Sequence, residues 1–458
     1  MSKIFSPAFK YTTWRRLWVA LAKGEKEIGL SITESQIKAM EEQIDHIDFS
    51  AVMSYEKETR HDVMAHVLAY GDSCPEAKGI IHLGATSAYV TDNTDLIQMR
   101  EGLKLLKGKL LELLRLLSKR AEQTADLPTL SYTHLQPAQP TTVGKRICTW
   151  LQDFLFDFSD LINREESLLF LGLKGATGTQ ASFMALLSND EEKVEELDRL
   201  IAKEMGFENL LTISGQTYTR KQDMRIISVL EGLAATSHKC ATDLRLLAHM
   251  GEIEEGRGEK QIGSSAMPHK TNPILAERTC ALARFLLSLG ENPKYTLATQ
   301  WLERSLDDSA NRRLAIPEAF LTADALLNLL FTLFTDLNIY PNVIAANLSR
   351  ELPFLSLENI LMGAVSKGKD RQEVHEHLRK AARKASLARK EGKEEDLISA
   401  IAGDENVGLS RTEIDALIEP AKLTGRASLQ VSHFLEKELS PLLDEHRDIS
   451  TPITPISL

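Results

Sequence analysis

Apolar residues recur every three or four positions along most of the chain, which predicts a largely helical protein. The longest such run extends from Asp92 to about Gln123, where leucines form one stripe on a single face. A helix of that length reaches roughly 50 Å at 1.5 Å per residue. Few segments alternate with period two, so no large sheet is expected. The pattern therefore predicts an all-α protein built around long helices.

The other long helical patterns suggest how the chain is divided into domains. They cover Val143–Leu171, Asn189–Met205 and residues 221–255, 273–290 and 309–336. Capping boxes predict two helix starts, at Thr33-x-x-Gln36 and Ser410-x-x-Glu413. Five long helices in sequence suggest a bundle. The predicted domains are a helical N-terminal domain (1–86), a central long-helix bundle (87–339) and a C-terminal helical domain (340–458).

Charge and cysteine usage narrow the class of protein. The 458 residues carry a net charge of −11, the opposite of what a general nucleic-acid binder shows. The four cysteines are far apart and form no CxxC pair, which predicts neither a zinc knuckle nor a disulfide framework. We find no secretory signal, and the longest apolar stretch is too short to span a membrane. A cytoplasmic protein with reduced thiols is expected.

Chemistry-bearing residues lie where the helical pattern breaks. One break, Gly84–Ser87 followed by Thr91–Asp95, places hydroxyls before a long helix. Backbone N–H groups and hydroxyls at such a position hold a carboxylate, or they only cap the helix. A second break, Ser131–Thr142, holds His134 in a turn that two prolines make rigid. That histidine suits general acid–base work, although a loop histidine is often only structural.

A third break, Arg60–His66, combines an arginine with two histidines. If the segment is helical, Asp62 and His66 share a face, and the arginine beside His61 suits an anion. A metal site is unsupported, because the histidines are five apart and no HExxH pattern is present. Leu306–Arg313 also concentrates polar groups, and its adjacent arginines either bind phosphate or form a solvated helix face.

The fourth break, Gly256–Pro273, is rich in glycine and contains Ser264, Ser265 and Lys270. Asn272 and Pro273 are a favourable start for the next helix. A hydroxyl beside a lysine and a helix N-terminus would be more acidic than usual. Composition alone is equally consistent with a linker between two helices.

Gly263–Pro273 (GSSAMPHKTNP) closely resembles the signature loop of the fumarase/aspartase superfamily, whose members eliminate fumarate from succinyl-containing substrates. Within that superfamily the chain is similar to the adenylosuccinate lyase family, and closer to its animal-type branch than to the bacterial one. The resemblance runs from about Trp14 to at least Leu435. Its discriminating motifs are Arg60–His66, Gly84–Ser87, Thr133–Gln139, Gly215–Lys221 and Leu306–Arg313.

The resemblance implies an anti elimination of fumarate from adenylosuccinate and from SAICAR, with Ser264 as the base and His134 as the acid. His61, Lys270 and Glu277 would assist catalysis. The substrate contacts implied by the matching positions are Arg60, Asp62, Thr86, Ser87, Thr133, Gln216, Asn272, Arg278, Ser309 and Arg313. The resemblance also implies the three-domain all-α fold of the superfamily, no metal or cofactor, no membrane or nucleic-acid partner, and a homotetramer.

One departure concerns the N-terminus. The family has an Arg-Tyr pair, which contacts substrate, well upstream of the segment matched here by Trp14–Trp18. In this chain Lys10-Tyr11 precedes that segment, at a different distance. Either those contacts are missing or another segment replaces them.

Helix length also bears on assembly. Helices of 30 residues separate their ends by about 45 Å, and antiparallel neighbours place alternate ends far apart. We therefore expect Ser264 and His134 of one active site to come from different subunits. Rival hypotheses are another lyase of the superfamily, such as argininosuccinate lyase or a cycloisomerase, and a non-enzymatic descendant of the fold, as some lens proteins are.

Overall fold

Helices dominate the computed structural model, which describes residues 1–256, 266, 267, 269–393 and 395–456. Of its residues, 67% are helical and 4% lie in strands, so the all-α prediction is confirmed. The helices of the first half are α1 (Pro7–Glu27), α2 (Glu34–Glu42), α3 (Phe49–Thr59), α4 (Asp62–Ser73), α5 (Ser87–Gln123), α6 (Val143–Glu166), α7 (Ala181–Leu186), α8 (Glu191–Glu204) and α9 (Lys221–His249). Those of the second half are α10 (Ile274–Leu289), α11 (Glu291–Ala298), α12 (Asp308–Thr335), α13 (Pro341–Leu355), α14 (Leu357–Ser366), α15 (Arg371–Lys390), α16 (Leu397–Ala402), α17 (Arg411–Leu417), α18 (Pro420–Leu423), α19 (Ala427–Phe434) and α20 (Ser440–Glu445).

Two short antiparallel sheets complete the described structure. One pairs β1 (Pro128–Thr133) with β2 (Gln136–Thr142), and the other pairs β3 (Ile253–Glu254) with β4 (Asn338–Ile339). A 3-10 turn at Pro75–Ala77 and a π-helical turn at Leu435–Leu439 are the other local elements. The absence of a large sheet among the described residues agrees with the hydrophobic pattern.

The predicted helix starts agree with the structure. Thr33 and Ser410 each form a capping box with the residue three positions on. The side chain of each partner accepts the backbone N–H of the other. The Asp190 side chain caps α8 by accepting the N–H of Lys193. The longest helix, α5, has 37 residues and contains the leucine stripe that runs to Gln123.

Contacts divide the chain into two compact units. The first unit consists of Met1–Leu110, Asp157–Ser237 and Ala281–Leu327. The second consists of Leu111–Phe156, His238–Cys280 and Asn328–Leu458. The division into domains at 1–86, 87–339 and 340–458 stays a prediction.

The core of the first unit includes the buried face of α1. Trp14, Leu17 and Trp18 are fully or almost fully buried, and Trp18 Nε1 donates a hydrogen bond to His82 Nδ1 at 2.9 Å. Helix α8 packs against α1 where a glycine, Gly24, faces Leu197. A Cβ at Gly24 would lie 2.7 Å from the Leu197 side chain, so a larger residue there would displace that leucine.

The second unit contains the β1–β2 hairpin and a separate helical core. Helix α13 packs on the hairpin. Helices α14 to α17 enclose a cluster of buried aliphatic side chains, among them Ile360, Val374, Leu378, Ile401 and Ile414. The C-terminal helices are therefore held together by apolar burial of their own.

Helix α12 is long and apolar enough to cross a membrane by length and composition alone. Its most apolar window has a mean hydropathy of 1.5, and 56% of that window is buried inside the protein. The core helix of a soluble protein has the same properties.

Candidate active site

The turn between α3 and α4, in the first unit, presents three predicted site residues side by side. Arg60 ends α3 with a left-handed φ of 54°. His61 caps α4, and its Nδ1 accepts the N–H of Met64 at 3.3 Å. Since that nitrogen is an acceptor, the proton of the neutral ring lies on Nε2, which remains a donor. Asp62 Oδ2 lies 3.6 Å from Arg313 Nη2, so these two predicted residues meet.

Lys10 and Tyr11 of α1 lie at the same corner of the first unit. The charges of Asp62 and Arg313 act on both side chains. The Lys10 ammonium is 5.5 Å from the Trp14 ring centroid, a cation–π distance. Burial lowers the pKa of Lys10 and raises the pKa of Tyr11. Lys10 and Tyr11 therefore lie close enough to Asp62 and Arg313, two predicted substrate contacts, to be affected by their charges.

His66 has a structural position. Its ring is buried, stacks on Tyr11 with centroids 4.0 Å apart, and meets Trp14 edge-on. Burial, reinforced by the charge of Arg15, lowers the pKa of His66 to about 4. The ring is thus neutral at pH 7 and packs as an aromatic group, although it shares α4 with Asp62.

Thr86 and Ser87 lie at the N-terminus of α5, as the sequence predicts for a carboxylate-binding position. Gly84 precedes them with a φ of 68°, and a Cβ there would lie 2.9 Å from the Phe183 ring. The chain therefore turns tightly into the helix, and the first N–H groups of α5 point outward at this end. Asp92 and Asn93, from the same break, are buried instead. The Asn93 side chain bonds Gly172 through both its oxygen and its nitrogen.

The two adjacent arginines of α12 have opposite environments. The Arg312 side chain is 8% exposed and is paired with Asp95 and Asp223. The Arg313 side chain is 60% exposed and reaches Asp62. Successive helix residues differ by about 100° in direction, which explains the contrast. Arg313 alone is accessible to a ligand, and the expectation of a solvated helix face does not hold for Arg312.

Gln216 is held between two other segments of the first unit. Its N–H donates to the Glu303 carbonyl at 3.0 Å, and its side-chain amide donates to the Ala176 carbonyl at 3.2 Å. A Cβ at Gly215 would lie 2.5 Å from the Glu303 carbonyl oxygen. The glycine therefore permits the close approach that brings Gln216 beside the segment leading to Ser309.

His134 lies at the tip of the β1–β2 hairpin in the second unit. Thr133 pairs with Gln136, so His134 and Leu135 form a two-residue turn, with φ values of 54° and 55°. Two positive φ values define the type I′ turn that matches the twist of a hairpin. The hairpin was not predicted, but the prediction of a rigid turn holding His134 is consistent with it. The imidazole is exposed.

The start of α10, also in the second unit, carries the remaining predicted residues. Lys270, Glu277 and Arg278 are exposed, and Asn272 is half-buried. The Glu255 carboxylate accepts the N–H groups of Leu275 and Ala276, each at 2.8 Å. Burial is the main cause of the raised pKa of Glu255. This carboxylate satisfies part of the N-terminus of α10, a role that sequence reasoning missed.

Ser264, the predicted base, lies outside the described residues, as does most of the loop from residue 256 to 273. Within the first unit the structure joins Asp62 to Arg313. Arg60, His61, Thr86, Ser87, Gln216 and Ser309 belong to the same unit, whereas Thr133, His134, Lys270, Asn272, Glu277 and Arg278 belong to the other. Sequence reasoning set Lys10 and Tyr11 aside because of their spacing, and it overlooked the pairing of Asp92 and Asp95 of α5 with arginines.

Comparisons with known proteins identify this set of motifs. A family model described as lyase matches residues 5–284, and one described as adenylosuccinate lyase C-terminus matches residues 353–434. The chain is 46% identical to adenylosuccinate lyase of Schistosoma mansoni over 97% of this chain and 93% of that protein. It is 45% identical to adenylosuccinate lyase of Saccharomyces cerevisiae over the same shares of the two chains.

A solved structure supports the fold. The 3-carboxy-cis,cis-muconate lactonizing enzyme of Pseudomonas putida superposes with a TM-score of 0.82, covering 98% of this chain and 96% of that one. Its sequence identity is 24%, so this likeness concerns the fold alone.

Proposed function

The chain belongs to the adenylosuccinate lyase family, and from this premise we propose a mechanism and an assembly for it. It is a carbon–nitrogen lyase that eliminates fumarate from adenylosuccinate, giving AMP, and from SAICAR, giving AICAR. The observation that carries this function is similarity to adenylosuccinate lyases over nearly the whole chain. Its substrates are small molecules of purine biosynthesis.

The reaction needs a base, an acid and donors for a carbanion. Ser264 removes the Cβ proton of the succinyl group, the C–N bond breaks, and the electron pair of the C–H bond becomes the double bond of fumarate. A serine is a base only when its alkoxide is stabilised. Lys270, five residues after Ser265 and exposed before α10, supports that role because it supplies a positive charge.

His134 protonates the departing nitrogen. Its place at an exposed hairpin tip supports this role, because the type I′ turn fixes the backbone while the ring stays accessible to a ligand. A histidine titrates near neutrality and so can hold the proton before transfer. Glu277 orients His134 or its neighbours.

The carboxylates of the succinyl group are bound by hydroxyls, an amide and a cation. Thr86 and Ser87 at the start of α5 are suited to one carboxylate, because N–H groups at a helix N-terminus favour an anion. Lys270, Asn272 and Thr133 complete this set. The donors strengthen as negative charge builds on the carboxylate next to the carbanion.

The nucleotide end is bound by Arg60, His61, Asp62, Gln216 and the exposed arginine Arg313. Ser309 and Arg278 add to this group. The joined Asp62–Arg313 pair and the exposed side chain of His61 support it. Lys10 and Tyr11 stand at the same corner, so they are the segment of this chain that supplies N-terminal contacts.

The active enzyme is a cytoplasmic homotetramer whose active sites contain residues of more than one copy. Exposed large apolar side chains of the first unit support association, because covering them with another copy removes apolar surface from water. They are Ile213, Trp301, Leu302, Leu306 and Leu314. Four free, buried cysteines are consistent with a reducing compartment.

A spectrophotometric assay on both succinyl substrates tests the proposal. Wild-type protein should release fumarate from each, and Ser264→Ala and His134→Ala should both be severely impaired. A wild-type protein that releases no fumarate from either substrate would refute the function. A fully active Ser264→Ala variant would refute only the role of that serine.

A further inference from the structure

We infer that a buried ion cluster of the first unit positions the nucleotide-binding residues, and that Arg220, Arg312 and Tyr218 are positioning residues of the reaction. The inference rests on the proposed function and concerns residues that touch no substrate. The cluster comprises Asp92, Asp95, Tyr218, Arg220, Asp223, Asp308 and Arg312.

Arg220 connects the start of α9 to two other helices. Its Nε donates to Asp308 Oδ2 at 2.7 Å, at the first residue of α12. Its Nη1 donates to Asp92 Oδ2 at 2.8 Å, in the second turn of α5. The partners lie 88 and 128 positions away in the sequence, and all three side chains are almost fully buried. One guanidinium therefore fixes the relative positions of α5, α9 and α12.

Arg312 forms a second connection between the same helices. Its Nε donates to Asp223 Oδ2 at 2.6 Å in α9, and its Nη1 lies 2.9 Å from Asp95 Oδ2 in α5. Its Nη2 also donates to the Tyr218 hydroxyl, which in turn donates to Asp223 at 2.6 Å. The Tyr218 ring contacts both guanidinium groups, at 4.6 Å from Arg220 and 5.2 Å from Arg312.

The two arginines of the cluster keep their charges because four carboxylates, those of Asp92, Asp95, Asp223 and Asp308, are paired with them. Desolvation lowers the pKa of both arginines, but the neighbouring aspartates more than offset it, so both pKa values are raised. A buried network of this kind often adds little to net stability compared with apolar residues, and fixes geometry instead. Here it fixes the N-terminal ends of α5, α9 and α12, which lie next in sequence to exposed site residues.

Three of the proposed nucleotide contacts, Gln216, Ser309 and Arg313, are within two residues of a member of the cluster. Arg313 follows Arg312, Ser309 follows Asp308, and Gln216 precedes Tyr218 by two residues. The Tyr218 N–H also donates to Asp92 Oδ2 at 3.2 Å, which ties the Gln216 segment to α5. Loosening the cluster therefore displaces these contacts from the geometry that binds the nucleotide.

Two variants test the inference. Tyr218→Phe removes only the hydroxyl between Arg312 and Asp223, and Arg312→Lys removes the fork that reaches three partners. The nucleotide contacts are remote from the breaking bond, so their displacement reduces uniform binding. We expect KM for adenylosuccinate to rise roughly tenfold, with kcat within about twofold of wild type.

The matched control is Lys109→Gln. Lys109 and Asp324 form another buried pair between α5 and α12, with Nζ–Oδ1 at 2.6 Å. They lie 15 or more residues beyond Asp92 and Asp308 along these helices. This variant should lower Tm and leave KM unchanged. KM, kcat and Tm are measured for all proteins.

An unchanged KM in both Tyr218→Phe and Arg312→Lys, with a Tm loss like that of the control, would show a merely structural role and overturn the inference. If Arg312→Lys fails to fold, Tyr218→Phe decides. A wild-type enzyme without activity would refute the proposed function and the inference with it, whereas an active wild type with unchanged KM in the variants refutes the inference alone.

Discussion

The two units present their candidate active-site groups in opposite ways. In the first unit, Arg313 of α12 is exposed, whereas the residue before it, Arg312, is buried and paired with aspartates. In the second, His134 stands on a two-residue turn, and the neighbouring Leu135 is 67% exposed. The proposed substrate contact Arg313 thus lies beside buried ion pairs, while the proposed acid His134 is positioned by the backbone geometry of its turn.

This difference predicts which substitutions affect substrate binding in the first unit and which affect proton transfer in the second. Groups supported by the ion cluster are affected by changes that never reach the ligand, because the cluster sets the positions of helix ends. A group on a hairpin tip is affected by its own side chain and by the φ values of its turn. Stability and catalysis should therefore separate at the hairpin tip, whereas stability and substrate binding should be linked at the ion cluster.

The largest effect is expected at the hairpin tip. His134→Asn should lower kcat by roughly 10²- to 10⁴-fold, the usual contribution of a general acid. Asparagine tolerates the left-handed φ of 54°, so Tm should be unchanged. Leu135→Asn, with nearly the same backbone conformation, is the control and should keep kcat near wild type. Comparable losses in both variants would mean that the turn, and not the imidazole, matters.

In the first unit, Arg220→Met should lower the free energy of unfolding by about 3–5 kcal/mol, because it leaves Asp92 and Asp308 buried without their cation. Chemical denaturation measures the change. Adding Asp92→Asn and Asp308→Asn removes the unpaired charges and should restore most of the stability. If the triple variant were as unstable as the single one, packing and not charge would explain the loss.

Glu25, also in the first unit, is a buried carboxylate with no hydrogen-bond partner among the described residues for either oxygen. Burial raises its pKa from 4.5 to about 8. The folded state therefore binds more protons than the unfolded state between these values, and stability falls as pH rises from 4.5 to 8. Glu25→Gln should remove that fall and stabilise the protein by up to about 3 kcal/mol at pH 7. Parallel wild-type and variant stability curves across this pH range would contradict the burial argument.

The smallest effect concerns the N-terminal corner. Lys10→Met keeps the apolar stem that packs near Trp14 and removes the charge beside Asp62 and Arg313. KM for adenylosuccinate should rise about three- to tenfold, as expected for one charge-assisted contact. Arg16→Met, an exposed cation on the same helix, should leave KM unchanged. Equal KM values for wild type and Lys10→Met would exclude Lys10 from the site.

Sequence reasoning succeeded where the information is local. The leucine stripe of α5 and the capping boxes at Thr33 and Ser410 each depend on residues a few positions apart, so they are legible in one sequence. The hairpin was missed because Pro137 and Pro140 interrupt the strand pattern, and because its turn has neither Asn nor Gly at its positive φ positions.

The candidate site was predictable mainly through motif resemblance. Physical reasoning alone left the Ser264 loop equally consistent with a linker. The buried ion cluster was not predictable, because its ion pairs join residues about 90 to 220 positions apart, and nothing local distinguishes Arg312 from Arg313. Only the fold shows which arginine of the two faces a ligand.

The central claim is that Ser264 and His134 act together in one active site and come from different copies of the chain. Ser264→Ala and His134→Asn, each inactive alone, are mixed, dissociated in denaturant and refolded together, and hybrids are verified by native mass spectrometry. Fumarate release from adenylosuccinate should reappear in the hybrids, because some active sites then contain both the wild-type serine and the wild-type histidine. Verified hybrids that remain as inactive as the parent variants would contradict it.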